Sequence, residues 1–111
     1  MIGSLTGTVT YRDNASLLID VHGVGYKVFI PASLSISQGA TITLFTHTHV
    51  REDLLELYGF SDHSDLKIFM YLISVSGVGC RTALGIFSIG SRQEIIKAIT
   101  SNDVSFFTSV P

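Results

Sequence analysis

The chain has 111 residues, of which 46% are hydrophobic and 14% charged, and its formal net charge is −2. This composition indicates one ordinary globular domain or two small ones, and it excludes a disordered or strongly basic nucleic-acid-binding chain. The sequence shows neither a bilayer-length apolar run nor a secretory signal. Its single cysteine excludes an internal disulfide, so we expect a cytoplasmic protein.

Five short runs rich in Val, Ile, Thr and aromatic residues predict β-strands in the first sixty residues. A turn at Asp13 and Asn14 and a glycine hairpin at 22–25 separate the first three strands, and Pro31 ends the third. Five strands with glycine bends favour a closed barrel of the OB type, with an open five-stranded sheet as the alternative. The predicted strands cover residues 2–11, 15–21, 26–30, 41–47 and 54–60.

The apolar period changes from two to 3.6 further along the chain, so the remaining residues are predicted to be helical. Ser61 is the predicted N-cap of the first helix, and Gly90 ends the second. Residues 91–94 form a capping box that opens a third helix, and Asn102 or Asp103 caps a fourth.

The predicted fold class is therefore α+β, with a five-stranded barrel at residues 1–62 and helices at residues 63–111. No linker separates the two parts, so we expect them to pack on one another. The first part carries three basic and six acidic side chains, and the second carries four basic and three acidic ones. A mildly basic second part is compatible with binding DNA through backbone amides and a few cationic side chains.

The most informative stretch lies between the first two helices, where two glycines flank one valine. Gly77 and Gly79 allow a tight turn and a close backbone approach, and Val78 is expected to dip into the core. The amides of residues 79–82 are then donors at a helix N-terminus, which is an anion site suited to a DNA phosphate. The pattern resembles a helix-hairpin-helix motif, and a plain turn between two helices is the alternative.

Two neighbouring carboxylates, Glu52 and Asp53, are interpreted as a polar hairpin tip. The alternative is a metal-dependent nuclease, in which they would hold Mg²⁺ together with Asp13 or Asp20. Adjacent strand residues point to opposite faces and would ligate one metal poorly, which favours the hairpin tip.

Two histidines two residues apart, His47 and His49, share one face of a strand and would permit a Zn²⁺ ion. The sequence offers no evident third ligand, so a structural role is favoured. Cys80 at a helix start could have a lowered pKa, but small-residue packing is the favoured interpretation. Four aromatic residues are assigned mostly to the barrel core, with a stacking platform for single-stranded nucleic acid as the alternative. They are Tyr11, Tyr26, Phe29 and Phe45.

Several motifs, taken in order along the whole chain, resemble the RuvA family, the Holliday-junction-binding subunits of bacterial branch-migration complexes. The resemblance rests on the N-terminal Met-Ile-Gly and on the hairpin at residues 77–79 at its spacing. It rests equally on residues 22–28 (HGVGYKV), 45–47 (FTH), 50–53 (VRED) and 57–60 (LYGF).

The resemblance implies an OB barrel, a domain with two helix-hairpin-helix motifs, and a linked C-terminal domain that binds a hexameric RuvB-type ATPase. It further implies a homotetramer, alone or with a second one face to face, that holds an open four-way junction, and a junction resolvase as a further partner. ATP and Mg²⁺ belong to the ATPase, so no cofactor is expected in this chain. The chain ends where a second hairpin is expected, which we interpret as a truncated or partial protein.

The resemblance also implies roles for individual residues. Glu52 and Asp53 match an acidic pin, whose carboxylates repel phosphates at the crossover. The DNA-binding residues are Gly77, Val78, Gly79, Cys80, Arg81 and Thr82, with Arg81 adding a mobile phosphate contact. Cys80 and Ser76 stand where prolines are expected, and neither change removes the amide donors.

The sequence therefore predicts shape-selective, sequence-independent binding of four-way junctions in recombination and DNA repair, without catalytic or metal-binding residues. The alternatives are a structure-specific nuclease, a general helix-hairpin-helix or OB nucleic-acid-binding module, and an oligomerisation module.

Overall fold

The computed structural model describes residues 1–101. The predicted fourth helix and the predicted start of a second hairpin at 110–111 lie outside these residues. Within them, five strands are followed by three helices. The strands are β1 (Ser4–Arg12), β2 (Ser16–Val21), β3 (Val24–Phe29), β4 (Thr41–Arg51) and β5 (Leu54–Phe60), and the helices are α1 (His63–Ile73), α2 (Cys80–Ile86) and α3 (Arg92–Thr100).

The five strands close into a barrel in the order β1-β2-β3-β5-β4. All neighbouring strands are antiparallel except β3 and β5, which pair in parallel through Val28 and Leu57. Closure leaves no sheet edge, and it confirms the barrel over the open sheet. The β2–β3 connection is a two-residue turn at His22 and Gly23, whose φ angles of 51° and 91° are those that tight hairpins require.

The strand β4 is longer than the sequence pattern predicted. It continues through Arg51 rather than ending at His47, and it pairs with β5 as far as the Arg51–Leu54 pair. Glu52 and Asp53 are therefore the two turn residues of a long β4–β5 hairpin.

Two hydrophobic cores lie on opposite faces of β5. The inward-facing Leu57 belongs to the barrel core, whereas the outward-facing Tyr58 and Phe60 pack against the helices. Phe69 of α1 is fully buried, and its ring lies 5.5 Å from that of Tyr58 and 5.1 Å from that of Phe60. The expected packing of helices on the barrel is thus formed by aromatic side chains of a barrel strand.

The four aromatic residues assigned to the barrel core divide between different environments. Tyr26 packs against the barrel core, but Phe29 and Phe45 pack against the core on the helical side. Tyr11 is 52% exposed. The assignment of most of the four residues to the barrel core is therefore wrong, because only Tyr26 packs there. These residues do not form one continuous stacking platform.

The helix termini agree only partly with the sequence pattern. The N-cap of α1 is Asp62, not Ser61, and its carboxylate accepts a hydrogen bond from the Ser64 amide at 2.8 Å. Helix α2 ends at Ile86, before Gly90, because the following amides bond to carbonyls three residues back. No helix within residues 1–101 is long and apolar enough to cross a membrane.

The start of α3 is fixed by local and tertiary polar contacts. Ser91 and Glu94 form the predicted capping box. Arg92 donates to Asp65 at 2.8 Å and to Asp62 at 2.6 Å, which joins the N-termini of α3 and α1. The helical part is therefore held by both apolar packing and an ion-pair network.

Candidate nucleic-acid interface

The connection between α1 and α2 forms a tight hairpin with exposed glycines. Gly77 has a φ of +86°, a conformation that L-residues with a side chain rarely adopt. Val78 is partly buried against the core on the helical side, as its expected role as a plug requires. Its amide donates to the Val75 carbonyl at 3.1 Å, which closes the turn.

The first turn of α2 contains backbone amides that come before its first helical hydrogen bond. The Ala83 amide donates to the Gly79 carbonyl at 2.9 Å, so the amides of Cys80, Arg81 and Thr82 precede this helical hydrogen bond. Gly79 is the N-cap and makes no side-chain cap hydrogen bond. Because Gly79, Arg81 and Thr82 are exposed, this backbone can be approached by an external acceptor such as a phosphate oxygen.

Arg81 is held against the barrel rather than extending freely into solvent. Its Nε donates to the Tyr58 hydroxyl at 3.0 Å, and an Nη atom donates to the Glu56 carboxylate at 2.9 Å. Its guanidinium also lies 4.1 Å from the ring centroid of Phe29. The Arg81 side chain thus has partners on the barrel, and 62% of it remains exposed.

The partners of Arg81 form a polar group at the foot of the hairpin. Burial and a hydrogen bond to Glu56 raise the pKa of Tyr58 to about 12, so its hydroxyl stays protonated at neutral pH. Partial burial raises the pKa of Glu56, but hydrogen bonds from Arg81 and Tyr58 outweigh that effect and leave the pKa below its usual value. Glu56 is thus ionised and holds the Arg81 charge beside α2.

Cys80 turns its side chain away from the exposed hairpin. The residue is buried in the core on the helical side, which confirms the favoured packing role. Burial and the nearby Glu56 charge raise the pKa of its thiol, contrary to the lowering that its helix position suggested. The thiol lies beside His47 and His49, and the ligand atoms of these three side chains are all within 4.8 Å of one another.

Sequence reasoning missed this combination because Cys80 is more than thirty residues from the histidine pair. The signals that could have found it are the His-x-His spacing on one strand and a lone cysteine at a helix start. Which strand face meets that helix start is decided by the packing of α2 on the barrel.

Glu52 and Asp53 are both exposed at the tip of the β4–β5 hairpin. The expected polar tip is thus present. Asp13, a suggested third metal ligand, instead accepts hydrogen bonds from the amides of Ala15 and Ser16 at 3.0 and 2.9 Å. Among the described residues, these carboxylates do not belong to a convergent group of three metal-ligating side chains.

Two family models match the chain. RuvA N terminal domain matches residues 1–59, and the SAM-like Helix-hairpin-helix tandem matches residues 69–111. The first match covers the barrel, and the second begins within α1 and includes the glycine hairpin.

Similar full-length proteins carry the name Holliday junction branch migration complex subunit RuvA. The protein of Francisella tularensis subsp. novicida (strain U112) is 39% identical over 114 residues, covering 100% of this chain and 53% of its own length. The protein of Bordetella pertussis (strain Tohama I) is 42% identical over 114 residues, covering 100% and 60%. The chain thus spans little more than half the length of these relatives. Barrel, hairpin and sequence similarity together lead to one conclusion: the chain belongs to the RuvA family.

Proposed function

We propose that this chain binds four-way DNA junctions by their shape and sugar–phosphate backbone, as the non-ATPase subunit of a branch-migration complex in recombination and repair. The observation that carries the proposal is the α2 N-terminus, where Gly79 leaves the amides of residues 80–82 without a side-chain cap. This hairpin lies in a chain whose relatives are named for Holliday-junction branch migration.

The binding residues follow from this geometry. The exposed backbone of Gly77 and Gly79 lets a phosphate approach closely, while Val78 anchors the turn in the core. The amides of Cys80, Arg81 and Thr82 are the donors. Each hydrogen bond to a charged acceptor is worth about 1.5–3 kcal/mol. Backbone donors carry no base information, so binding is independent of sequence.

Arg81 adds positive charge to the same surface. Two of its five N–H donors are used within the chain, and the remaining ones are available to a phosphate. Its salt bridge with Glu56 holds the guanidinium in place, so less side-chain entropy is lost on binding DNA than for a free arginine.

Four-fold assembly would place several such hairpins on one junction and multiply their weak contacts. The exposed apolar residues beside the β4–β5 tip support self-association of this hairpin, since Val50 is 60% and Leu55 66% exposed. Glu52 and Asp53 would then meet their copies at the centre. There they would act as an acidic pin that repels phosphates and keeps the junction open.

The proposed function extends to the division of the chain into two units and to the partners of the whole protein. Residues 1–62 form the central barrel unit and residues 63–111 the DNA-binding unit. A hexameric ATPase, which uses ATP and Mg²⁺, binds elsewhere in the full-length protein, and a junction resolvase is a further partner. Two tetramers face to face are an alternative assembly to one. DNA binding by this chain needs no cofactor, and it takes place in the cytoplasm.

The test is a gel-shift titration of the intact protein with a four-way junction and with a linear duplex of the same arm sequences. Two salt concentrations are compared, with and without Mg²⁺. Gly79→Ala is the informative variant, because an added Cβ meets nothing within 4 Å in the protein but lies where a phosphate would approach. Gly25→Ala, equally unobstructed but in β3, is the matched control.

We expect salt-sensitive preference for the junction, weakened about tenfold or more in Gly79→Ala and unchanged in Gly25→Ala. Equal weak binding to junction and duplex would contradict junction recognition. Unchanged binding by Gly79→Ala would remove the hairpin from the interface. Strands cut only in the presence of Mg²⁺ would support the nuclease alternative.

A further inference from the structure

A cluster of three metal-ligating side chains lies between the barrel and the start of α2. His47 and His49 project from one face of β4, and Cys80 is the first residue of α2. Their ligand atoms all lie within 4.8 Å of one another. The cluster uses side chains, whereas the donors proposed to bind DNA are backbone amides, so Cys80 contributes its thiol to the cluster and its amide to the DNA-binding surface.

The donor set is one that binds a transition metal. Imidazole nitrogen and thiolate sulfur are ligands of Zn²⁺, and two histidines with one cysteine leave a fourth position for water. Around a tetrahedral Zn²⁺, neighbouring ligand atoms are about 3.3–3.6 Å apart, as follows from Zn–N and Zn–S distances of about 2.0–2.3 Å. Because the ligand atoms of the three side chains all lie within 4.8 Å of one another, each separation needs to shorten by at most about 1.5 Å.

The surroundings leave the imidazoles able to bind a metal. His47 is partly buried, and its ring centroid lies 5.8 Å from that of Phe69. The Nε2 atom of His49 accepts a hydrogen bond from Nε of Arg51 at 3.1 Å, and a metal ion bound through this atom would replace that hydrogen bond. Arg51 is exposed and can move aside.

We propose that His47, His49 and Cys80 bind one Zn²⁺-like transition-metal ion that joins β4 of the barrel to the first turn of α2. The bound ion fixes the hairpin against the barrel. It also adds positive charge behind the surface that faces DNA. Metal binding at this site can be measured without DNA, so its test can fail while the proposed junction binding stands.

The test is titration of the reduced, metal-free protein with Co²⁺, followed by competition with Zn²⁺. We expect one Co²⁺ per chain, with near-ultraviolet thiolate-to-cobalt charge transfer and visible bands of a tetrahedral site that Zn²⁺ abolishes. Zn²⁺ should also raise the melting temperature of the wild-type protein. Cys80→Ser should abolish the charge-transfer band, and His49→Gln should weaken Co²⁺ binding at least tenfold.

His22→Asn is the matched control, since His22 lies in the β2–β3 turn at a positive φ that asparagine tolerates. It should bind Co²⁺ like the wild type. Cys80 is buried, so its replacement can affect folding. His49 is more exposed, so His49→Gln provides an independent test of metal binding. Wild-type affinity in His49→Gln, or Co²⁺ binding without thiolate charge transfer in the wild type, would overturn the proposal.

Discussion

At the scale of single residues, the two hairpin glycines, Gly77 and Gly79, differ in backbone conformation. Gly77 has a φ of +86°, whereas Gly79 has an extended backbone with a φ of −89°. An added Cβ would meet nothing within 4 Å at either position. Any cost of a side chain at Gly77 therefore comes from its backbone conformation, whereas at Gly79 the proposed function predicts a cost only when DNA is bound.

We expect Gly77→Ala to lower the free energy of unfolding by about 1–2 kcal/mol, the cost of a left-handed backbone for an L-residue. Gly77→Asn should be less destabilising, because asparagine tolerates this conformation better. Urea denaturation of both variants and of Gly79→Ala, which should retain wild-type stability, measures the difference. A Gly77→Ala protein as stable as the wild type would show that the turn can be made with a negative φ.

The sequence was informative about the hairpin and much less so about its surroundings. The pattern around Gly77, Val78 and Gly79 is local, so it predicted both the turn and the contact of Val78 with the core. The hydrogen bonds from Arg81 to Glu56 and Tyr58 join α2 to β5. They can be predicted only when the packing of these two elements is known. The same is true of Cys80 beside the histidine pair.

At the scale of elements, helix α1 begins at an aspartate that serves two partners. Asp62 accepts from the Ser64 amide and from Arg92 of α3. These hydrogen bonds, the one from Ser64 first, hold the pKa of Asp62 below its usual value. The folded protein therefore binds a proton here less readily than the unfolded chain. The stabilisation is complete above the unfolded pKa of about 3.9 and is lost as the pH falls through the lower folded pKa.

Asp62→Asn should keep the capping oxygen but lose the charge that pairs with Arg92. We expect Asp62→Asn to have a lower melting temperature than the wild type at pH 7. As the pH is lowered from 5 to 2, the melting temperature of the variant should fall less than that of the wild type. Thermal unfolding across this pH range is the measurement. Ser61→Ala is the control, because the residue that the sequence suggested as the cap should prove dispensable. A greater loss in Ser61→Ala than in Asp62→Asn would place the cap one residue earlier.

The ends of helices and strands were predicted well where a local sequence signal marks them. They were predicted poorly where pairing with another strand determines where the element ends. The capping box of Ser91 and Glu94 is a local signal, and it is present. The extension of β4 to Arg51 accompanies its pairing with β5, in which Val50 lies opposite Leu55 and Arg51 opposite Leu54. Asp62 rather than Ser61 caps α1, and its pairing with Arg92, thirty residues away, cannot be read from the local pattern.

At the scale of the whole molecule, β5 joins the two cores. Its alternating side chains enter the barrel on one face and the helical core on the other, so neither face meets solvent over residues 57–60. Phe69, with 0% exposure, packs on the outer face of this strand. Barrel and helices are therefore expected to unfold together rather than as separate units.

We expect Phe69→Ala to destabilise the protein by about 3–5 kcal/mol. Native-state hydrogen exchange should show equal losses of protection for the amides of Leu44 in the barrel and Ala83 in α2. Leu44→Ala, placed in the opposite core, should lower both as well. Loss of protection confined to Ala83 in the Phe69 variant would show that the barrel is stable without the helices.

The fold class was predictable because strand and helix periods are separate along the chain. The run Leu57-Tyr58-Gly59-Phe60 indicates a strand that is apolar on both faces. The run alone does not show which element covers the outer face. The prediction of two parts packed together was therefore correct in outline, without the contacts that produce it.

The double burial of β5 has a consequence for protein engineering. A chimera that joined this barrel to foreign helices after residue 62 would leave Tyr58 and Phe60 without Phe69 and would expose an aromatic face prone to aggregation. Cutting before β5 instead would open the barrel between β3 and β4. A transplantable unit must therefore carry barrel, hairpin and helices together, or it must redesign the outer face of β5 to match its new partner.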